Sequence, residues 1–214
     1  IRAESDLLAL KWQIPEPFAG FWVTTYCNRG CAQEQAGNLD AALEDFATMC
    51  ALGPEIDESA ILVARVYERK GDRARADARL REFHEKTSGP DQFALSAAEM
   101  YQSLGDPKQA LLWADRAAPS CLRDTRRARY LAALGNLDEA LTVARRAVEL
   151  DPRNTSAHRM VGYVLGRQKK FSEAVAAYRQ AAAISPRDAG TRAGLGSALL
   201  DMGSFVEAIE EFDK

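Results

Sequence analysis

The residues that could do chemistry in this 214-residue chain are few and scattered. Cys27 and Cys31 stand four apart, which on a helix places two thiols on one face, a spacing that could hold a soft metal or act as a regulatory pair. His84 and His158 are remote from them and complete no ligand set, and small thiols are common in helical cores, so structural thiols are the simpler reading. With Cys50 and Cys121 the four cysteines form no disulfide framework, which favours a reducing compartment, cytoplasmic before periplasmic. His84 lies in the charged stretch Arg81-Glu82-Phe83-His84-Glu85-Lys86, where a solvated or capping role is expected. Gly194-Leu195-Gly196 lacks the preceding strand that a dinucleotide loop needs. No nucleophile sits beside a base and the acids converge nowhere, so the chain is expected to be non-catalytic and to hold no metal or cofactor.

Arginine is the more informative residue. Net charge is −3, but residues 121–188 carry 13 Lys and Arg against 7 Asp and Glu, residues 1–120 carry 13 against 19, and residues 189–214 carry 2 against 5. A basic middle between acidic flanks favours an acidic partner there and predicts salt-sensitive binding. Nucleic acid is disfavoured by the negative total and by the few interleaved aromatics. No apolar run approaches the roughly 20 residues of a membrane span.

The elements that must position these residues follow from a periodicity. Gly135-Asn136-Leu137-Asp138-Glu139-Ala140 returns 34 residues later as Lys169-Lys170-Phe171-Ser172-Glu173-Ala174, and 34 later again as Gly203-Ser204-Phe205-Val206-Glu207-Ala208. Turn glycines Gly105, Gly71 and Gly37 extend the frame backwards, so that repeats start near Val23, Asp57, Asp91, Cys121, Thr155 and Ala189, with one interval of 30 residues around Pro119. Such a period marks stacked helical hairpins. Glycine at each inter-helix turn supplies positive φ, and proline after a second helix ends it. Gly162, Ala174 and Ala181 are small where two backbones must approach, while Leu165 and Tyr178 fill the space between layers.

In the copy from Thr155 to Asp188, the order Gly162, Leu165, Phe171, Ala174, Tyr178, Ala181, Pro186 resembles the tetratricopeptide repeat (TPR). The copy before it carries Ala128, Ala140, Ala147 and Pro152, and the copy after it Leu195-Gly196, Phe205, Ala208 and Phe212. The resemblance covers residues 23–214 and departs from the pattern at Arg29 and Arg127, where the family places an aliphatic residue, and at Ala114, where it places an aromatic. It implies an all-α, right-handed superhelical solenoid of about six hairpins: 23–56, 57–90, 91–120, 121–154, 155–188 and an incomplete 189–214.

The resemblance also implies that the first helices line a concave groove. Its lining positions fall on Asn28, Arg65, Arg69, Gln92, Glu99, Arg126, Arg129, Arg159, Tyr163 and Arg167. Arginine offers a planar fork of donors to carboxylates, so the four arginines around Tyr163 are candidates for gripping an acidic peptide. The alternative, solvated charges that keep an array soluble, stands beside it. The chaperone-binding branch places Lys and Asn where this chain has Cys27 and Cys31, so a chaperone tail is not the expected ligand.

Residues 1–22 stand apart, with Trp12, Phe18, Phe21 and Trp22 around Pro15 and Pro17 and a helix-compatible stretch from Ala3 to Lys11. They read either as a partial hairpin capping the first repeat or as a docking segment. The frame stops at position 26 of a repeat, which suggests part of a longer protein. The expected role is a non-catalytic scaffold or adaptor that binds a peptide to assemble a complex. Two other readings remain: the repeat region of a larger glycosyltransferase-like or sulfotransferase-like enzyme or of an export machine, and self-association through uncapped ends.

Overall fold

The computed structural model describes residues 19–52 and 57–213, and among them twelve helices and no strand. Trp12, Pro15, Pro17, Phe18, Pro54 and the helix expected within residues 3–11 lie outside the described residues. In chain order the helices are α1 (Ala19–Gln35), α2 (Leu39–Leu52), α3 (Asp57–Arg69), α4 (Arg73–Lys86), α5 (Pro90–Ser103), α6 (Pro107–Ala114), α7 (Cys121–Ala133), α8 (Leu137–Leu150), α9 (Thr155–Arg167), α10 (Phe171–Ile184), α11 (Ala189–Asp201) and α12 (Phe205–Phe212). They fall into two compact units, Ile1–Met100 and Tyr101–Lys214.

The turns inside the hairpins share one construction. Gly37, Gly71, Gly105, Gly135 and Gly203 all have φ between 78° and 87°, and Lys169, in the glycine slot of the remaining turn, has φ 62°. The amide after each of these residues reaches back to a carbonyl five residues earlier, as in Asn136 N to Leu131 O at 3.0 Å and Lys170 N to Leu165 O at 2.9 Å. This double turn satisfies carbonyls that the helix end would orphan, and it needs a left-handed residue at its apex. Side chains cap five of the described helices: Ser120, Asn154 and Asp188 after longer connections, and Asp72 and Asp106 directly after a turn glycine, accept from the amide three residues on, at 2.8 to 3.2 Å.

In the first unit α1 packs on α2, α2 on α3, and α3 on α4. Their core holds Ala42, Phe46, Met49, Leu62, Val63 and Val66, with Cys27, Cys31 and Cys50 against its edge. Gly30 lets Phe46 approach α1: a Cβ there would stand 2.5 Å from the ring. Arg29, the first departure from the family pattern, is accommodated by Asp45, a buried acid on α2 that takes Nε at 2.9 and 3.0 Å.

In the second unit each helix from α7 to α12 packs on the one before it, and the first helices α7, α9 and α11 also touch across successive layers. One continuous core runs from Ala128 and Leu131 through Val143, Val164, Val175 and Tyr178 to Leu199 and Ala208. Gly162 and Gly194 face opposite parts of the Tyr178 ring, at distances that leave room for no side chain. Arg127, the second departure, donates from Nε to Asp115 at 2.7 Å and from Nη2 to Glu139 at 3.3 Å. Ala114 is buried as a small residue, and the aromatic bulk missing from its slot is supplied by its neighbour Trp113, also buried and covered by the Arg116 guanidinium at 4.1 Å.

Candidate functional site

The face built by α7, α9 and α11 carries most of the basic candidates. On α9 the residues at four-residue spacing, Arg159, Tyr163 and Arg167, share one side of the helix, as the 3.6-residue turn requires. Tyr163 is 39% exposed and Arg167 is bonded to it: its Nη1 donates to the Tyr163 hydroxyl at 3.0 Å, with the guanidinium 5.9 Å from the ring centre. Arg126 and Arg129 lie on the neighbouring α7. On α11 the residues one 34-residue period on are Ala193, Ser197 and Asp201, so the face loses its basic charge along the stack and carries an acid in the slot of Arg167.

Arg159 has a different employment. Its Nη1 lies 2.9 Å from Asp188 Oδ2, and the same oxygen accepts from the backbone N of Thr191 at 2.8 Å and from its hydroxyl at 2.5 Å. These hydrogen bonds from Thr191, with the Arg159 charge behind them, hold the Asp188 carboxyl below its ordinary pKa. Arg159 thereby ties α9 to the start of α11. Gly190 leaves space for this, since a Cβ there would meet Arg159 Nη1 at 2.4 Å.

In the first unit Arg65 and Arg69 are likewise engaged. Arg65 Nε reaches both carboxylate oxygens of Glu34 at 2.9 and 3.1 Å, and Arg69 Nη1 takes the Glu34 carbonyl at 2.8 Å and its carboxylate at 3.3 Å. Glu34 is only 5% exposed, so the two guanidiniums compensate a buried charge and fasten α3 to the end of α1. Asn28 and Gln92 are exposed and Glu99 is half-buried on α5. Cys27 and Cys31 are free and half-buried, and burial pushes the Cys27 thiol above its usual pKa, which makes a poor nucleophile. Among the described residues no three His, Cys, Asp or Glu side chains group as a metal site. Two surface depressions, of about 550 and 480 Å³, are lined by other residues, Arg79, Glu82 and Lys86 among them in the first and Arg187, Arg192 and Glu211 in the second.

Glu34 and Asp188 were not singled out as site residues by sequence reasoning. The signal that could have found them is their spacing: an acid 29 to 31 residues from an arginine sits one layer away in a stack of this period, as Glu34 does from Arg65 and Asp188 from Arg159.

Comparison with known proteins agrees with this geometry. The tetratricopeptide-repeat family matches residues 125–189 and again residues 167–214. No curated protein matches the sequence. Among solved structures the chain is similar to TTC0263, a thermophilic TPR protein of Thermus thermophilus, with 22% identity over 83% of this chain and 99% of that one and a TM-score of 0.56. It is similar to yeast Tom70 with 19% identity, covering 92% of this chain and 44% of that one, at a TM-score of 0.58. YrrB, at 20% identity, covers 78% of this chain and 89% of its own with a TM-score of 0.52. At these identities the likeness speaks for the fold. With the hairpins, the turn glycines and the family matches in agreement, residues 125–214 are tetratricopeptide repeats, and the solved structures share their helical-repeat fold.

Proposed function

We propose that this chain is a non-catalytic interaction module that binds an acidic peptide segment of a partner protein on the α7 and α9 face of its second unit, and so holds that partner in a complex. The observation that carries the reading is the pair on α9: Tyr163, an exposed aromatic, with Arg167 lying against it and joined to its hydroxyl. An aromatic ring with a guanidinium beside it offers an apolar surface for one side chain and a donor fork for a carboxylate. Arg126 and Arg129 on the adjacent helix add positive charge within the same basic pair of repeats. The fold is one used by interaction scaffolds, and YrrB, which shares it, is described as a TPR protein with an unusual peptide-binding site. No described helix is long and apolar enough to cross a membrane.

Arg159, Arg65 and Arg69 act as ties between layers in this reading. Asn28, Gln92 and Glu99 lie on helices outside the proposed contact and form no part of it.

The test is titration of the chain with fluorescent peptides rich in Asp and Glu, at low and at physiological salt. Binding that weakens with salt and falls at least tenfold in the Arg126→Ala, Arg129→Ala, Arg167→Ala triple variant is expected. Affinity that survives the triple substitution rejects the face.

A further inference from the structure

The side chain that fills the seam behind the α9 face ends in an unused polar group. Tyr178 is 6% exposed, and its ring enters from α10 between α9 and α11. A Cβ at Gly162 of α9 would meet ring atoms Cγ, Cδ2 and Cε2 at 2.9 to 3.0 Å, whereas a Cβ at Gly194 of α11 would meet Cε1, Cζ and the hydroxyl at 2.4 to 3.0 Å. The hydroxyl therefore stands at the far end of the seam, where Gly194 places no side chain over it. The groups whose charges act on it are Tyr163 and Arg159, both on the side of α9 that carries the proposed peptide contact.

Among the described residues this hydroxyl makes no hydrogen bond, and it is not one of the unpartnered polar atoms sealed from solvent. A buried tyrosine ordinarily finds a partner for its hydroxyl, so the group calls for an explanation. Packing does not supply one. In the slot 34 residues on, Phe212 packs against Gly196 with no hydroxyl, and 34 residues back the slot holds Ala144. Burial, reinforced by Tyr163 and opposed by Arg159, pushes the Tyr178 pKa up to about 12, so the group stays a neutral donor and its partner must be an acceptor. Tyr163 is a second donor: its hydroxyl oxygen accepts from Arg167 Nη1 at 3.0 Å, which leaves its own proton to give. Two hydroxyl donors and a guanidinium thus gather on one side of α9, and among the described residues no carboxylate is bonded to any of the three.

We infer that the Tyr178 hydroxyl is the inner donor of a carboxylate subsite on this face, hydrogen-bonded to an oxygen of a peptide carboxylate that Tyr163 and Arg167 hold from the outer side. The inference rests on the reading of the α9 face as a peptide site and names the group that the face takes. Because Gly162 and Gly194 fix the ring on both sides, the donor is in place before the ligand arrives and little ordering is lost on binding. An Asp or Glu side chain and a chain terminus both present the required group.

The test uses the 214-residue chain and two fluorescent peptides, one rich in Asp and Glu with an amidated C-terminus, the other free of acidic side chains with a free C-terminal carboxylate. Tyr178→Phe is expected to weaken whichever peptide binds at least tenfold in anisotropy titrations, with the urea midpoint of the chain unchanged or raised, because a hydroxyl without a partner adds no bond to the fold. With tyrosine isotope-labelled at Cζ, the Tyr178 resonance, assigned by its absence from the variant, is expected to move when the peptide is added. Affinity equal to the parent's in Tyr178→Phe overturns the subsite and leaves the acidic-peptide reading standing. A urea midpoint that falls with the affinity also overturns it, since the hydroxyl is then a structural element. Binding of the terminal-carboxylate peptide alone, sensitive to Tyr178→Phe, keeps the subsite and rejects the acidic side chain as its ligand; binding of neither peptide to the parent overturns both.

Discussion

Substituting alanine for Gly194 separates the two consequences of a helical glycine. A Cβ at this position would stand 2.4 Å from Tyr178 Cε1, 2.6 Å from Cζ and 3.0 Å from the hydroxyl, where an ordinary contact needs at least 3.4 Å. The ring cannot retreat toward α9, because a Cβ at Gly162 would already be within 2.9 Å of its other side, and at 6% exposure it has no route to solvent. Overpacking of this kind costs about 1 to 3 kcal/mol. Against it, alanine gains up to about 1 kcal/mol over glycine in helix propensity. Gly166, on the neighbouring first helix with nothing within 4 Å of its would-be Cβ, measures that gain alone.

The expected result is that Gly166→Ala raises stability slightly and Gly194→Ala lowers it, with about 1 to 3 kcal/mol between the two. Urea denaturation followed by circular dichroism reads the difference directly, and a melting-temperature gap of about 2 to 10 degrees accompanies it. If Gly194→Ala is as stable as Gly166→Ala, the clasp around Tyr178 contributes nothing and the packing argument for the inter-layer seam is wrong.

Three other perturbations bear on the layers. Lys169→Gly removes a left-handed lysine at φ 62° and is expected to stabilise the chain by about 0.5 to 1 kcal/mol after glycine's unfolded-state entropy is subtracted, measured by urea denaturation; no gain would mean the turn carries no strain. Ala174→Leu at a fully buried seam position overpacks it by about 1 to 3 kcal/mol, and an unchanged melting temperature would contradict that placement. Asp188 has a folded pKa depressed by Thr191 and Arg159, so its contribution is present above the unfolded carboxylate pKa and is lost as pH falls through the lower folded value. The stability difference between the parent and Asp188→Asn is therefore expected to shrink on acidification from about pH 6 toward about pH 2, and a difference independent of pH would refute the linkage.

The parts of the fold that were legible in the sequence are those where one residue type answers one backbone demand. A turn that needs positive φ selects Gly37, Gly71, Gly105, Gly135 and Gly203, and a close helix approach selects Gly162, Ala174 and Ala181, so their spacing alone reveals hairpins. Charge pairs leave a weaker trace because either partner can sit on several turns of either helix. Arg29 and Arg127 therefore read as departures from a pattern, although Asp45, Asp115 and Glu139 make each of them a satisfied position. Trp113 escaped for a related reason. Its repeat is the shortened one, α6 has only 8 residues, and the aromatic that fills the layer has moved one place from the expected slot.

The same distinction decides what the arginines can do for a ligand. A guanidinium that already neutralises a buried carboxylate is not free to neutralise another, because breaking the first pair leaves a desolvated charge and costs more than an exposed contact returns. Glu34 holds Arg65 and Arg69 in this way, whereas Asp188, which is half-buried and also the cap of α11, holds Arg159 as part of the hydrogen-bonded start of that helix. Arg167 is bound through the neutral Tyr163 hydroxyl on an exposed surface, and exchanging that bond for a carboxylate gains a charge-assisted one. Positive charge at the candidate positions is thus of two kinds, and the proposed peptide contact rests on the arginine whose neighbour is neutral.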